Sequence, residues 1–147
     1  MANKFEYVSW SKKDFDLPTR ATSRSAGYDF HSPVDFYVEP GDTVEISLEV
    51  KCDIKEREFL IVVPRSSMGW KGNHIAITNT AGIIDADYYN NPSNEGEIRA
   101  RFHNFGDKVF KVNKNDRVLQ GIFVKYDMTD DDITSGVREG GLGSTGN

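Results

Sequence analysis

Apolar and polar residues alternate at a period of two through most of this chain, which leaves little room for helix. From Thr43 to Val50, Val44, Ile46, Leu48 and Val50 fall on one side and Glu45, Ser47 and Glu49 on the other, as successive side chains of a strand do. Ile98, Ala100 and Phe102 repeat the pattern within Glu97 to His103. Phe59 to Val63 is continuously apolar and stops at Pro64, the mark of a buried strand. Val118 to Tyr126 is long and rich in β-branched and aromatic residues; Phe5 to Trp10, Phe36 to Val38, Ile75 to Ile77 and Val109 to Val112 are shorter candidates. Between them lie Pro40-Gly41-Asp42, Gly72-Asn73, Asn90 to Asn94, Asn104 to Asp107 and Asn113 to Asp116, all turn-forming compositions. No segment carries a helical stripe of three turns; the best helical stretch is a turn or two near Ser66 to Lys71. The expectation is an all-β chain, a sandwich, jelly roll or barrel with little helix.

A length of 147 residues fits one domain. The boundary falls late: residues 1–135 read as the body and 136–147 as a flexible C-terminal arm, where five residues are glycine (136, 140, 141, 143 and 146). A net charge of -5 excludes the broad basic face on which general nucleic-acid binding and anionic-membrane binding depend. No apolar run is long enough to span a bilayer, and Met1 to Phe5 has no apolar signal core. These features predict a soluble, cytoplasmic protein. The single cysteine, Cys52, sits in an alternating run and reads as a small buried hydrophobe.

Several short segments carry possible chemistry. Asp85 and Tyr88 follow Gly82-Ile83-Ile84; at strand spacing they point apart, so they share a pocket only if the chain turns there, as at a hairpin tip. A carboxylate beside a flat ring suits activation of water next to a stacked sugar or base. Pro64-Arg65-Ser66-Ser67 ends the buried strand with a guanidinium, two hydroxyls and free amides, a natural anion site, or else a plain cap and surface ion pair. Asp29, beside Gly27 and Tyr28, reads as a turn residue or as a partner for an arginine. Arg138 through Gly146 has the composition of a phosphate-cradling loop without the Gly-Lys-Ser/Thr of a Walker sequence; its plain alternative is a solvated tail. The histidines are scattered, no zinc spacing occurs, and no Gly-x-Ser-x-Gly elbow is present.

In order, Ala26 to Phe30, Pro64 to Ser67, Asn79 to Tyr88, Asp116 to Gln120 and Arg138 to Gly146 resemble the five motifs of the homotrimeric dUTPase family. The resemblance runs from about residue 21 to the end of the chain. It implies a jelly-roll-like, distorted β-barrel subunit and a trimer whose sites lie between subunits. It implies hydrolysis of dUTP to dUMP and pyrophosphate with Mg2+ on the triphosphate and its waters rather than in a protein cage, in the cytoplasm (a host's, for a phage protein). By motif position Asp85 is the base that orients water, and Tyr88 packs under the deoxyribose. Asn79 and the backbone at Gly82 read uracil. Arg65, Ser66, Ser67 and Gln120 hold phosphates, while Asp29, Asp116 and Arg117 support them. Arg138, Leu142, Gly143, Ser144 and Thr145 close over a neighbouring subunit's site.

Four positions depart from the family pattern. Leu142 stands where a phenylalanine usually stacks on uracil, Ser67 where glycine is common, and Asn115 in place of glycine before Asp116. The insertion Tyr89 to Glu95 lengthens the segment after Tyr88. A dCTP deaminase is the nearest alternative, but that family needs a glutamate where Arg101 stands here. A second alternative gives the 89–95 insertion an added regulatory binding role.

Overall fold

The computed structural model describes residues 2–143. Twelve strands follow one another in that span. They are β1 Lys4–Tyr7, β2 Thr19–Arg20, β3 Tyr28–His31, β4 Phe36–Val38, β5 Thr43–Ser47 and β6 Val50–Asp53. Then come β7 Glu58–Val63, β8 Ile75–Ile77, β9 Gly82–Ile84, β10 Arg99–Asn104, β11 Phe110–Val112 and β12 Arg117–Lys125. The only helical elements among the described residues are two 3-10 turns, Ser66–Met68 and Ala86–Tyr88.

The strands form an all-β, jelly-roll-like body, with every pairing antiparallel. The largest sheet has the order β2-β3-β12-β7-β9, and a three-stranded sheet runs β5-β10-β8. Two pairs, β1-β6 and β11-β4, complete the fold. The expected jelly-roll-like fold is present, although among the described residues the sheets do not join into one closed ring. Their inner faces supply a continuous core around Phe30, Leu48, Leu60, Met68, Ile98, Phe102 and Leu119. Cys52 lies in that core, where burial pushes its thiol up to about 12 and keeps it an inert hydrophobe.

Most strand expectations hold to within a residue or two. Two runs depart: the strand expected from Phe5 to Trp10 ends at Tyr7, and the run Thr43 to Val50 is divided into β5 and the start of β6. Glu49 adopts φ 57, a left-handed conformation that stops the ladder and redirects the chain toward β1. Alternation cannot show such a break, because side-chain polarity carries no record of backbone handedness.

Candidate active site

β12 lies at the centre of the large sheet and brings three segments together. Gln120 pairs with Asp29 of β3 on one side and Val63 of β7 on the other. β7 ends at Pro64, whose missing N–H stops the ladder, and Arg65 then launches the first 3-10 turn from an extended conformation. Buried Met68 pins this turn to the core and leaves Ser66 at the surface. Expected as a possible cap, Ser66 instead follows the capping position, which Arg65 occupies. Asp29, only 8% exposed, accepts from Arg65 Nε at 3.2 Å and lies 3.6 Å from Arg117 Nη1. That contact uses the Nε edge of Arg65 and leaves the outer edge of the guanidinium to face an anion. Gln120 donates through Nε2 to Pro64 O at 3.2 Å. A Cβ at Gly27 would stand 2.5 Å from Gln120 Oε1, so any larger residue there would displace the Gln120 amide. Ser25, Gly27, Asp29, Arg65, Ser66 and Gln120 line one polar recess.

A second recess forms at the sheet edge. Gly82 sits opposite Val62, and a Cβ there would meet Val62 Cγ2 at 2.5 Å. Asn79 enters this edge through a tight bend in which Ala81 N bonds to Asn79 O and Thr80 adopts φ 66. The recess is lined by Asn79, Gly82, Ile84, Tyr88, Ile98 and Leu142, among others. Asp85 follows β9 in an extended conformation and caps the second 3-10 turn, with Tyr88 N donating to Asp85 O at 3.1 Å. The turn joining Asp85 to Tyr88 is therefore a helical one rather than a hairpin tip. It tucks the Tyr88 ring inward (5% exposed) and leaves the Asp85 carboxylate in solvent. Burial pushes the Tyr88 phenol up, so it keeps its proton and donates to Glu97 O at 2.6 Å.

The arm comes back onto this edge. Arg138 donates through Nη2 to Asp85 Oδ2 at 2.8 Å and through Nε to Asp87 Oδ1 at 2.7 Å. Its Cζ lies 5.7 Å from the Tyr88 ring centre. Expected on phosphates over a neighbouring subunit, Arg138 thus bridges two carboxylates of its own chain, whose spacing on the turn matches the guanidinium fork. Leu142 borders the recess yet remains largely exposed, and Gly143 lies beyond it at φ 70. Ser144 and Thr145 lie outside the described residues. Asp116 belongs to neither recess; its carboxylate accepts from Asn113 N at 2.8 Å and braces the bend before β12. In that bend Asn115 adopts φ 70, a conformation asparagine tolerates in glycine's place. Ser67 is half-buried and lends its carbonyl to Asn73 Nδ2.

Asp85 and Arg65 fall beyond opposite ends of one strand. Ile84 pairs with Leu60, so Asp85 continues level with Phe59, at the end of β7 opposite Arg65. At about 3.3 Å per residue, the Phe59 to Arg65 stretch covers roughly 20 Å, well beyond the length of a triphosphate.

The dUTPase family model matches residues 13–146. The chain belongs to the dUTPase family. A deoxyuridine 5'-triphosphate nucleotidohydrolase of Lactococcus lactis is 37% identical over 145 residues, covering 97% of this chain and 96% of the relative. The dUTPase of Streptococcus mutans, a solved structure, superposes with a TM-score of 0.73 at 34% identity, covering 86% of this chain and 98% of that one. A mutant dUTPase from phage phi11 of Staphylococcus aureus, in which a structural Mg(II) ion is described, shares the fold with a TM-score of 0.73 at 18% identity, over 92% and 98% of the two chains.

Beside the residues expected from the dUTPase motifs, the structure adds two that sequence reasoning passed over. Asp87 shares Arg138 with Asp85, and Asn94 of the insertion donates to the Tyr88 hydroxyl at 2.8 Å. Asp87 was recognisable as a second carboxylate two residues on. Nothing local to Asn94 signals its contact, which depends on how the insertion folds back.

Proposed function

We propose that this chain hydrolyses dUTP to dUMP and pyrophosphate in the cytoplasm, as a homotrimer whose sites are shared between subunits. One observation carries the residue assignment: on a dUTPase-family chain, Asp85 directly follows the recess residues Gly82, Ile83 and Ile84 and begins the turn that carries Tyr88 into the same recess. Uracil enters that recess. The Asn79 amide and the backbone beside Gly82 supply its hydrogen-bond partners, and the tight bend from Asn79 to Gly82 excludes a 5-methyl group. Tyr88 presents its ring to the deoxyribose, where a 2′-hydroxyl has no space. Asp85 takes a proton from a water molecule, and that oxygen attacks the α-phosphorus. The bond from the α-phosphorus to the bridging oxygen breaks, and pyrophosphate leaves.

The roughly 20 Å between Asp85 and Arg65 supports assembly. Arg65, Ser66, Ser67 and Gln120 of one subunit hold the phosphates of a nucleotide whose uracil occupies another subunit's recess, with Asp29 and Arg117 bracing them and Asp116 holding the bend that leads into β12. Arg65, Ser66 and Gln120 offer hydrogen-bond donors, a set that suits phosphate oxygens rather than a cation. Mg2+ therefore fits on the phosphate oxygens with its own waters, where it neutralises charge on the substrate. Substrate phosphates compete with Asp85 and Asp87 for Arg138, and transfer of that guanidinium frees the base as the arm, with Leu142 and Gly143 and the later Ser144 and Thr145, closes.

Pyrophosphate release from dUTP, the four standard dNTPs and UTP, with and without Mg2+, tests this reading. The expected result is Mg2+-dependent release from dUTP alone. Ammonia from dCTP, or equal release from UTP, would overturn it.

A further inference from the structure

Two asparagines of the insertion 89–95, Asn91 and Asn94, turn their amides toward Tyr88. Asn91, almost fully buried, accepts through Oδ1 from Ser93 N, Ser93 Oγ and Asn94 N at 3.0, 3.0 and 3.2 Å. Those backbone donors fix its amide, whose Nδ2 donates to Tyr88 O and Asn94 Oδ1, each at 2.7 Å. Asn94 Oδ1 also receives Gly96 N at 3.1 Å. Rotating the Asn94 amide would set donors against donors, so its Nδ2 necessarily faces the Tyr88 hydroxyl, 2.8 Å away. Tyr88 thus has both its proton and its lone pair engaged, by Glu97 O on one side and the insertion on the other.

The other face of the same amide meets the arm. Gly141 is buried, and a Cβ on it would lie 2.8 Å from Asn94 Cγ, Asn94 Nδ2 and Ser93 Oγ. A side chain at this position would collide with both residues, one residue before Leu142 reaches the recess. We propose that Asn94 is a positioning residue: it fixes the Tyr88 ring through its hydroxyl and provides the seat on which the arm closes at Gly141. In this way arm closure and sugar discrimination are tied to one side chain. This rests on the dUTP reading above.

The test uses full-length Asn94→Ala, Asn94→Asp and Gly141→Ala, each checked by thermal midpoint. One readout is the ratio of kcat/KM for dUTP to that for UTP. The other is the rate of tryptic cleavage after Arg138, measured by mass spectrometry with a non-hydrolysable imido analogue of dUTP bound. Asn94→Asp keeps the shape but lacks the donor, so it separates hydrogen bonding from simple filling of space. Asn94→Ala and Asn94→Asp should lower the ratio about tenfold, the worth of one buried hydrogen bond, mainly through KM because Asp85 is untouched, and Gly141→Ala should lower it by unseating the arm. Cleavage should accelerate several-fold in all three. A wild-type ratio in Asn94→Asp overturns the proposal, as does faster cleavage in any variant without a change in the ratio. Wild-type protein that fails to turn over dUTP overturns the activity instead, and this is seen before any variant is made.

Discussion

Asp85 and Tyr88 divide one short turn between solvent and core, and their environments set what each can do. The Asp85 side chain is 55% exposed, so a water molecule can reach it and its pairing with Arg138 is exchangeable rather than structural. Replacing it by asparagine removes the proton acceptor with almost no change in shape. Asp85→Asn should therefore slow turnover roughly 1000-fold while leaving dUTP binding little changed, as single-turnover kinetics beside equilibrium binding would show. A variant hydrolysing near the wild-type rate would remove the base assignment. Gly82 is constrained by its neighbour across the strand pair. Gly82→Ala forces a methyl into Val62 and should cost about 1–3 kcal/mol, lowering the thermal midpoint and weakening dUTP binding together. At this scale the sequence was a good guide to residue types and a poor one to partners. Asp29 was open between a turn and an arginine partner, and only the pairing of β3 with β12 places it beside Arg65 and Arg117.

The insertion behaves as an element because its ends are tied to the body. Glu95 accepts from Lys51 Nζ and Ser9 N, each at 2.8 Å, and from Ser9 Oγ at 2.7 Å. Lys51 also donates to Asn90 Oδ1, and Tyr89 donates to Glu6. The Lys51 ammonium, followed by the Ser9 hydroxyl, holds the Glu95 carboxyl down from its ordinary 4.5 to about 2. A depressed carboxyl stabilises the fold above the unfolded value and loses that contribution as pH falls through the folded one. The gap in thermal midpoint between wild type and Glu95→Gln should therefore stay constant above pH 4.5 and shrink between pH 4.5 and about 2. A gap that does not change with pH would show that the anchor is not ionic. Strands were the most legible elements, because side-chain period follows directly from the pleat. The break at Glu49 and the helical turn after Asp85 were not legible, since each is a backbone choice that residue polarity does not encode.

At the scale of the molecule, the register of β7 with β9 places Asp85 and Arg65 at opposite ends of one strand. Two inactive variants, Asp85→Asn and Arg65→Ala, should then restore each other when denatured together and refolded as mixed trimers. Random assembly leaves about one quarter of the sites with both groups intact, so activity should return to about that share. Complete inactivity of the refolded mixture would mean that each site draws both groups from one chain. Length, charge and strand period, together with the ordered motifs, were enough to specify an all-β chain of the dUTPase family. Those properties are local: each depends on a few neighbours along the chain. Which recess each residue enters, the distance between the recesses, the return of Arg138 to its own turn and the seat that Asn94 offers Gly141 depend on contacts between distant segments. Only packing sets those distances, because the same short segment can meet different partners once the chain closes around its core.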